Sequence, residues 1–491
     1  VRVVSAELWS PAPGRLVLWD VLPGAGQAPA PAPITFNQRN HLLGAAAGEP
    51  SVWITAAFDV DGPVDVNALE AAFRDLVARH AGLSVEALRR PAGVGLVRHD
   101  PAALVWVRQD GPVTGTVEAT REHLVGELGR RCAPFGYPAF LPAAISRPDR
   151  STIVLGMDHL HTDAWSTTVV VDDLAALYGA HTEHAAGLPA VRSAARTVQA
   201  LAGPAVPARG GTALLAASEP EALVAAGRAA PQGAGPEGLP AAPVPVGADD
   251  PRLATWHGFL RDRGWALPTF PLPLGVPDGA RAPQRTVVRP LADAVTADAI
   301  AVRARAAGAS TSAAVLATLA RAVADLGGPA ALDTLLPVHT RADAVARRAV
   351  GWHTTTVPLR VEVDAAAGIS TVTDTALAAT GKAVRSAREL SAVPLEQVVE
   401  SLPTPLRFPR VDIFQVSYLD YRRLPGHAAS AGRRAHHVSA ATRADDLQLW
   451  VSRTDDGLSV RARMPCTDLA AGTVDALLAR WADRLAGLVT H

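Results

Sequence analysis

Residues 157–166 read Met-Asp-His-Leu-His-Thr-Asp-Ala-Trp-Ser and follow the apolar run Thr152-Ile153-Val154-Leu155-Gly156-Met157. The run predicts a strand, and the sequence from Ser166 to Leu177 predicts a helix. His159 then falls at the mouth of a strand, where an imidazole can face a cleft. Asp163, four residues on, falls in the turn, where a carboxylate can point back and fix the loop. Imidazole has the ordinary pKa nearest neutrality, which suits it to accept and return a proton. The spacing alone is weak, because His339 and Asp343 repeat it. Strand, histidine, aspartate, Trp165-Ser166 and helix in that order carry more weight.

Working outward, residues 52–60 are rich in β-branched and aromatic side chains and predict a second strand, broken at Asp61-Gly62. Asp65 or Asn67 then caps a helix with Leu69, Ala72, Phe73, Leu76 and Val77 on one face. Further strands are expected near 95–97 and 104–107, and residues 11–33, rich in Pro, Ala and Gly, as an extended lead-in. Residues 1–190 thus form an N-terminal α/β lobe carrying the His-x-x-x-Asp motif. Residues 191–247 are an Ala/Gly/Pro-rich linker, with one candidate helix at 219–229. Residues 248–491 form a C-terminal lobe. It holds a long Ala/Leu/Val helix capped by Ser310 or Thr311 and strands at 333–338, 354–363, 411–418, 447–451 and 458–464. An amphipathic helix at 471–488 closes it. One sheet with helices in each half implies a pseudo-symmetric, two-lobed α/β protein.

The chain has 491 residues, 48% hydrophobic and 19% charged, with a formal net charge of −1. That balance argues against a nucleic-acid binder and against a polybasic membrane anchor. Cys132 and Cys466 are the only cysteines, too few for a disulfide framework or zinc site, so a reduced, cytoplasmic enzyme is expected. No apolar run approaches the roughly 20 residues needed to span a bilayer, and residues 1–21 do not read as a signal peptide. His159 and His161 alternate on a strand end with no third ligand in view, so no metal is expected.

At this point the chain resembles the condensation-domain and chloramphenicol-acetyltransferase superfamily, above all its free-standing condensation enzymes and polyketide-associated acyltransferases. The family motif His-His-x-x-x-Asp-Gly falls on Asp158 to Ala164, followed by Trp165-Ser166. Four other stretches agree in order. Arg79-His80 with Leu83 resembles the family's Arg-His-x-x-Leu segment, and residues 267–275 resemble a phrase of the free-standing acyltransferases. Residues 350–360 resemble the family's Val-Gly…Pro-Leu-Arg segment, with Thr355 where an Asn is usual. Residues 415–420 resemble the segment near the second lobe's crossover. The likeness covers roughly residues 35 to 490. It implies two chloramphenicol-acetyltransferase-like lobes arranged as a V-shaped pseudo-dimer with a tunnel between them.

The resemblance also implies chemistry. An acyl thioester, on coenzyme A or on the phosphopantetheine of an acyl or peptidyl carrier protein, meets a small-molecule amine or alcohol acceptor, with no intrinsic cofactor and a monomeric enzyme. His159 holds the family's catalytic position, and Asp163 is structural, paired with an arginine of the second lobe for which Arg341 is the choice. Backbone N–H groups near Ala164 and Trp165, or the hydroxyl of Ser417, are candidates to meet an oxyanion, and His353 is a candidate cleft residue. Trp165 reads as a core anchor. Two departures stand out. Asp158 replaces the first histidine. Ala164 replaces a glycine, and since Ala tolerates positive φ poorly the turn is expected to differ from the family's. Asp158, Asp163 and Ser166 also fit the Asp-x-x-x-x-Asp-x-x-Ser pattern of heterocyclisation domains, which leaves cyclisation as an alternative. A catalytically degenerate module that docks carrier proteins is another.

Overall fold

The computed structural model describes residues 2–24, 28–91, 93–185, 238–240, 244–363 and 372–490. In the first half run β1 (Arg2–Ser5), β2 (Arg15–Leu22), β3 (Ala30–Ala32), α1 (Phe36–Ala46), β4 (Trp53–Asp61), α2 (Val66–Arg79), β5 (Val85–Arg90) and β6 (Gly93–Arg98). They are followed by β7 (Val105–Val113), α3 (Val117–Arg131), β8 (Phe140–Ser146), β9 (Arg150–Asp158) and α4 (Ala164–Ala185). The second half opens with α5 (Pro251–Arg261), β10 (Ala282–Asp293), α6 (Ala294–Ala306), α7 (Thr311–Asp325), β11 (Ala331–His339), α8 (Ala344–Arg347) and β12 (Thr354–Glu362). It continues through α9 (Asp374–Glu389), α10 (Leu395–Glu400), β13 (Gln415–Asp420), α11 (His427–Ser430), β14 (His436–Ser439), β15 (Arg443–Ala444), β16 (Gln448–Thr454), β17 (Gly457–Pro465) and α12 (Asp468–Gly487).

One seven-stranded sheet has the order β1-β14-β4-β9-β8-β2-β7, and another has β12-β11-β13-β16-β17-β10-β15. The expected two-sheet α/β architecture is present, with an exchange between its halves. After β13 the chain leaves the second sheet, and β14 enters the first, parallel to β1 and antiparallel to β4. The division by sheet is therefore not the division by sequence, since residues 436–439 sit with the N-terminal lobe. Most of the expected linker, and all of its candidate helix at 219–229, lies outside the described residues.

The reading of residues 11–33 as a lead-in is overturned. Within them β2 is an interior strand with Leu16, Val17, Leu18, Trp19 and Val21 all buried. Val17, Trp19 and Val21 pack toward α2 and α4, while Leu16 and Leu18 join the core on the other face. A strand buried on both faces loses the alternation that reveals a half-buried one. The strand expected at 411–418 starts only at Gln415, because the N–H groups of Val411 and Asp412 donate to the Asp445 carboxylate instead.

The helix expected after Gly62 is α2, capped by Asp65 through the N–H groups of Asn67 and Ala68. Its Leu69, Ala72, Phe73, Leu76 and Val77 are buried in the core that α4 shares. Burying each large apolar side chain there contributes about 1.5–3 kcal/mol, so Leu76→Asp would break this packing. In the second half Ser310 caps α7, whose side chains from Ser312 to Ala320 are all buried, and the Trp481 indole of α12 donates to the Val315 carbonyl. Among the described residues no single helix is long and apolar enough to cross a membrane.

Candidate active site

Strand β9 ends at Asp158, and His159–His161 form a single tight helical turn before α4 starts. The Asp158 carboxylate shapes that turn by accepting the N–H of Leu160 at 2.9 Å, while the His159 N–H donates to the Val52 carbonyl at 2.8 Å. Asp163 then caps α4, accepting the N–H of Ser166 at 2.8 Å. A negative charge at that end is favoured by the helix dipole.

The buried Asp163 is committed to structure. Arg341 of the second half donates to it through two N–H groups, at 2.7 Å and 3.0 Å. The His353 N–H and the Thr354 hydroxyl add bonds at 3.0 Å and 3.1 Å. Burial by itself would raise the pKa of this carboxylate, but the charge and hydrogen bonds of Arg341, with those of the backbone, outweigh it and hold the group well below its usual range. Ser166 extends the junction: its hydroxyl donates to the Gly351 carbonyl at 2.8 Å and accepts from Arg341 at 2.8 Å. Trp165 ties the halves together too, its indole donating to the Arg347 carbonyl at 3.0 Å with its edge near His339.

Ala164 does not deform the turn. It is the exposed first residue of α4 and is not among the residues with positive φ, so alanine fits without strain and the expected departure from a glycine turn does not arise there. His353 is buried within the junction, where burial first and Arg341 second lower its pKa to about 4. Its backbone N–H, and not its ring, engages Asp163. Ser417 lies half-buried in β13 opposite Trp450 of β16, and among the described residues it makes no hydrogen bond to the His159 group.

His159 itself is half-buried, and among the described residues its ring makes no hydrogen bond to another residue. It lies against the Trp352 indole of the second half, with centroids 3.9 Å apart. Burial and the nearby charge of His41 lower its pKa, which favours the neutral ring that can accept a proton. His161 points elsewhere, its Nδ1 2.7 Å from the Gly82 carbonyl, so the two histidines of the turn do not converge. No group of three or more metal-ligating side chains gathers among the described residues. His80 of the Arg-His-x-x-Leu segment is buried against Asp173 of α4 at 2.9 Å, and Arg348 pairs with the same aspartate.

Sequence reasoning missed α1. Thr35 and Gln38 form a capping box at its start. Asn37 donates to the Thr354 carbonyl at 2.7 Å, Gln38 to the Leu160 carbonyl at 3.1 Å, and His41 Nε2 lies 2.7 Å from Asp158 Oδ1. The Thr-x-x-Gln cap at 35–38 was the available signal.

Two α/β units joined by a strand exchange, with a histidine and a buried, arginine-paired aspartate at their junction, define the condensation-domain, chloramphenicol-acetyltransferase-like fold. Within that fold the chain is similar in sequence to curated acyltransferases. It is 25% identical over 439 residues to the 2'-acyl-2-O-sulfo-trehalose (hydroxy)phthioceranyltransferase PapA1 of Mycobacterium tuberculosis, covering 86% of this chain and 75% of that one. The solved PapA2 acyl transferase covers all of both chains with a TM-score of 0.78 at 22% identity. The first condensation domain of the calcium-dependent antibiotic synthetase matches 94% of this chain and 97% of its own with a TM-score of 0.56 at 18% identity. No family model matches the chain.

Proposed function

We propose that the chain transfers an acyl group from a thioester to an amine or alcohol in the building of a secondary metabolite, with His159 as the proton acceptor. The thioester is carried by coenzyme A or by the phosphopantetheine of a carrier protein. One observation carries the reading: alone among the polar side chains of the motif, the His159 ring is not hydrogen-bonded to another of the described residues. As the acceptor's oxygen or nitrogen attacks the carbonyl, His159 takes its proton. Collapse of the tetrahedral intermediate breaks the carbon–sulfur bond, and the imidazolium returns the proton to the leaving thiolate. Help of this kind is worth about 10²–10⁴-fold. Holding the two substrates in line adds up to roughly 7–11 kcal/mol. The N–H groups of Ala164 and Trp165, at the positive end of α4, are the donors we assign to the oxyanion.

The test is product mass after mixing the purified chain with acyl-coenzyme A and acyl-carrier thioesters and a panel of amines and alcohols. A new ester or amide that disappears in His159→Ala supports the reading. A product kept in that variant but lost in Asp163→Asn would move it to cyclisation, and carrier binding without any product would favour a docking role.

A further inference from the structure

We propose that Arg461 anchors a second subsite between the two halves, one that holds an oxyanion, a carboxylate or a sulfate, carried by one of the substrates. The proposal rests on the acyl-transfer reading only for the molecule that brings the anion; the site itself is a property of the side chains.

The second sheet turns Arg461 away from its own core. Along β16 and β17 burial alternates: Leu449, Val451, Val460 and Ala462 enter the core of the second half, while Trp450 and Arg461 stay half-buried on the opposite face. Ser417, Trp450 and Arg461 are register partners on β13, β16 and β17, so they stand in one row. That row looks toward the first half, because Arg461 donates to the hydroxyl of Ser439, a residue of β14 in the first sheet. His437 precedes Ser439 by two positions and shares its face of β14, roughly 7 Å along the strand. Its Nδ1 lies 2.9 Å from the Thr167 hydroxyl in the first turn of α4. A line of side chains thus runs from the motif turn to the guanidinium.

The guanidinium is short of a counter-charge. Arg453 and Arg463, on the same two strands, pair with Asp298 and Asp412, but no carboxylate among the described residues pairs with Arg461. Its Nε is shielded from solvent and hydrogen-bonds to none of the described residues. The Trp450 indole lies against the group, 4.2 Å from ring centroid to guanidinium carbon, so a ligand is met by the N–H edge and not by that face. The ionisable groups around it supply no anion. Burial pushes the Tyr421 phenol up to about 12 and the His437 imidazole down to about 3, which leaves both neutral near pH 7, and Arg463 adds a second positive charge. Burial lowers the pKa of Arg461 itself only to about 10, so it stays a cation. A shielded cation without a partner is costly. An oxyanion removes that cost, and the fork of Nε–H and Nη2–H fits two of its oxygens in one plane.

The experiment is thermal unfolding of the full chain in increasing sodium sulfate, with ionic strength held constant by sodium chloride, for the parent and for Arg461→Gln. General salt stabilisation acts on both alike. The parent is expected to show a further, saturable rise in Tm that Arg461→Gln lacks, and an equal response in the two overturns the proposal. Should Arg461→Gln fail to fold, selenate soaked into crystals of the parent decides. Its anomalous signal beside Arg461 Nε supports the subsite, and no signal there overturns it. Neither readout needs turnover, so their failure is distinct from a failure of the acyl-transfer reading. With turnover established, two arms identify the molecule that carries the anion: acceptors as free carboxylates against their methyl esters, and succinyl against butyryl thioesters. Arg461→Gln is expected to lower the kcat/KM preference for the charged member of one pair over its uncharged counterpart by about 10–100-fold. Losses that ignore charge in both pairs overturn the proposal and mark Arg461 as structural.

Discussion

Asp158 and Asp163 stand five positions apart in one turn, both buried, and they live in opposite conditions. Asp163 accepts five hydrogen bonds, two of them from Arg341, and its charge is fully answered. Asp158 accepts two, one from a backbone N–H and one from His41, and one of its oxygens is bonded to none of the described residues. A buried polar group that is fully satisfied holds a structure together, whereas one left partly unsatisfied is under tension that chemistry can use. Five positions therefore separate a carboxylate that locks the two halves from one whose charge is only partly answered.

Breaking the lock should have the largest effect. Asp163→Asn leaves the Arg341 guanidinium buried without its counter-charge, which should cost about 3–5 kcal/mol of stability, read by denaturant unfolding. The sign with pH follows from the depressed pKa: the contribution is complete above the ordinary carboxylate range and is lost only as pH falls well below it. If Asp163→Asn proves as stable as the parent, the lock is not where the geometry puts it. His159→Ala should do the opposite. It removes a ring that hydrogen-bonds to none of the other described residues, so we expect a loss of about 10²–10⁴-fold in turnover with an unfolding midpoint close to the parent's. A large drop in stability with retained activity would exchange the roles of the two residues.

Much of this contrast was legible in the chain. The strand–turn–helix context around residues 157–166 led to both His159 and Asp163, and the choice of Arg341 as Asp163's partner matches the pairing observed. Three features were not legible, each for a physical reason. Strand β2 is buried on both faces and carries no alternation to read. Strand β14 is four residues long and pairs with strands hundreds of positions away, so nothing local marks it as a member of the first sheet. His41 sits on a helix with little apolar periodicity. Its meaning depends on Asp158, 117 positions later, which local sequence cannot bring near.

Asp446 sharpens the comparison because it shares the burial of Asp163 but has no cationic partner among the described residues. Its carboxylate accepts the N–H groups of Phe270 and Leu447 and lies near Asp412 and Asp445. Burial, opposed by those backbone bonds and helped by the two neighbouring carboxylates, pushes its pKa up to about 7. A raised acid pKa means the folded state holds the proton more tightly. The associated stability is present below the ordinary value of 3.8 and is lost as pH rises to about 7. Asp446→Asn should flatten that slope and leave the protein more stable, by on the order of 1–3 kcal/mol, at pH 8, in unfolding curves taken from pH 4 to 8. An unchanged slope would mean that burial without a cation does not raise this carboxylate's pKa.

Ala164 offers the finest test of where the tension lies. Were the turn itself strained by the absence of a glycine, Ala164→Gly would relieve it and raise stability or turnover. The residue is instead the first of α4, exposed and outside the positive-φ region, so the backbone already takes a conformation alanine prefers. Glycine there adds conformational freedom to the unfolded chain and gains nothing in the folded one. The expected result is a loss of about 0.5–1 kcal/mol or less, with turnover unchanged. Thermal unfolding and a single rate measurement read both quantities. A gain in either would place strain in the loop backbone.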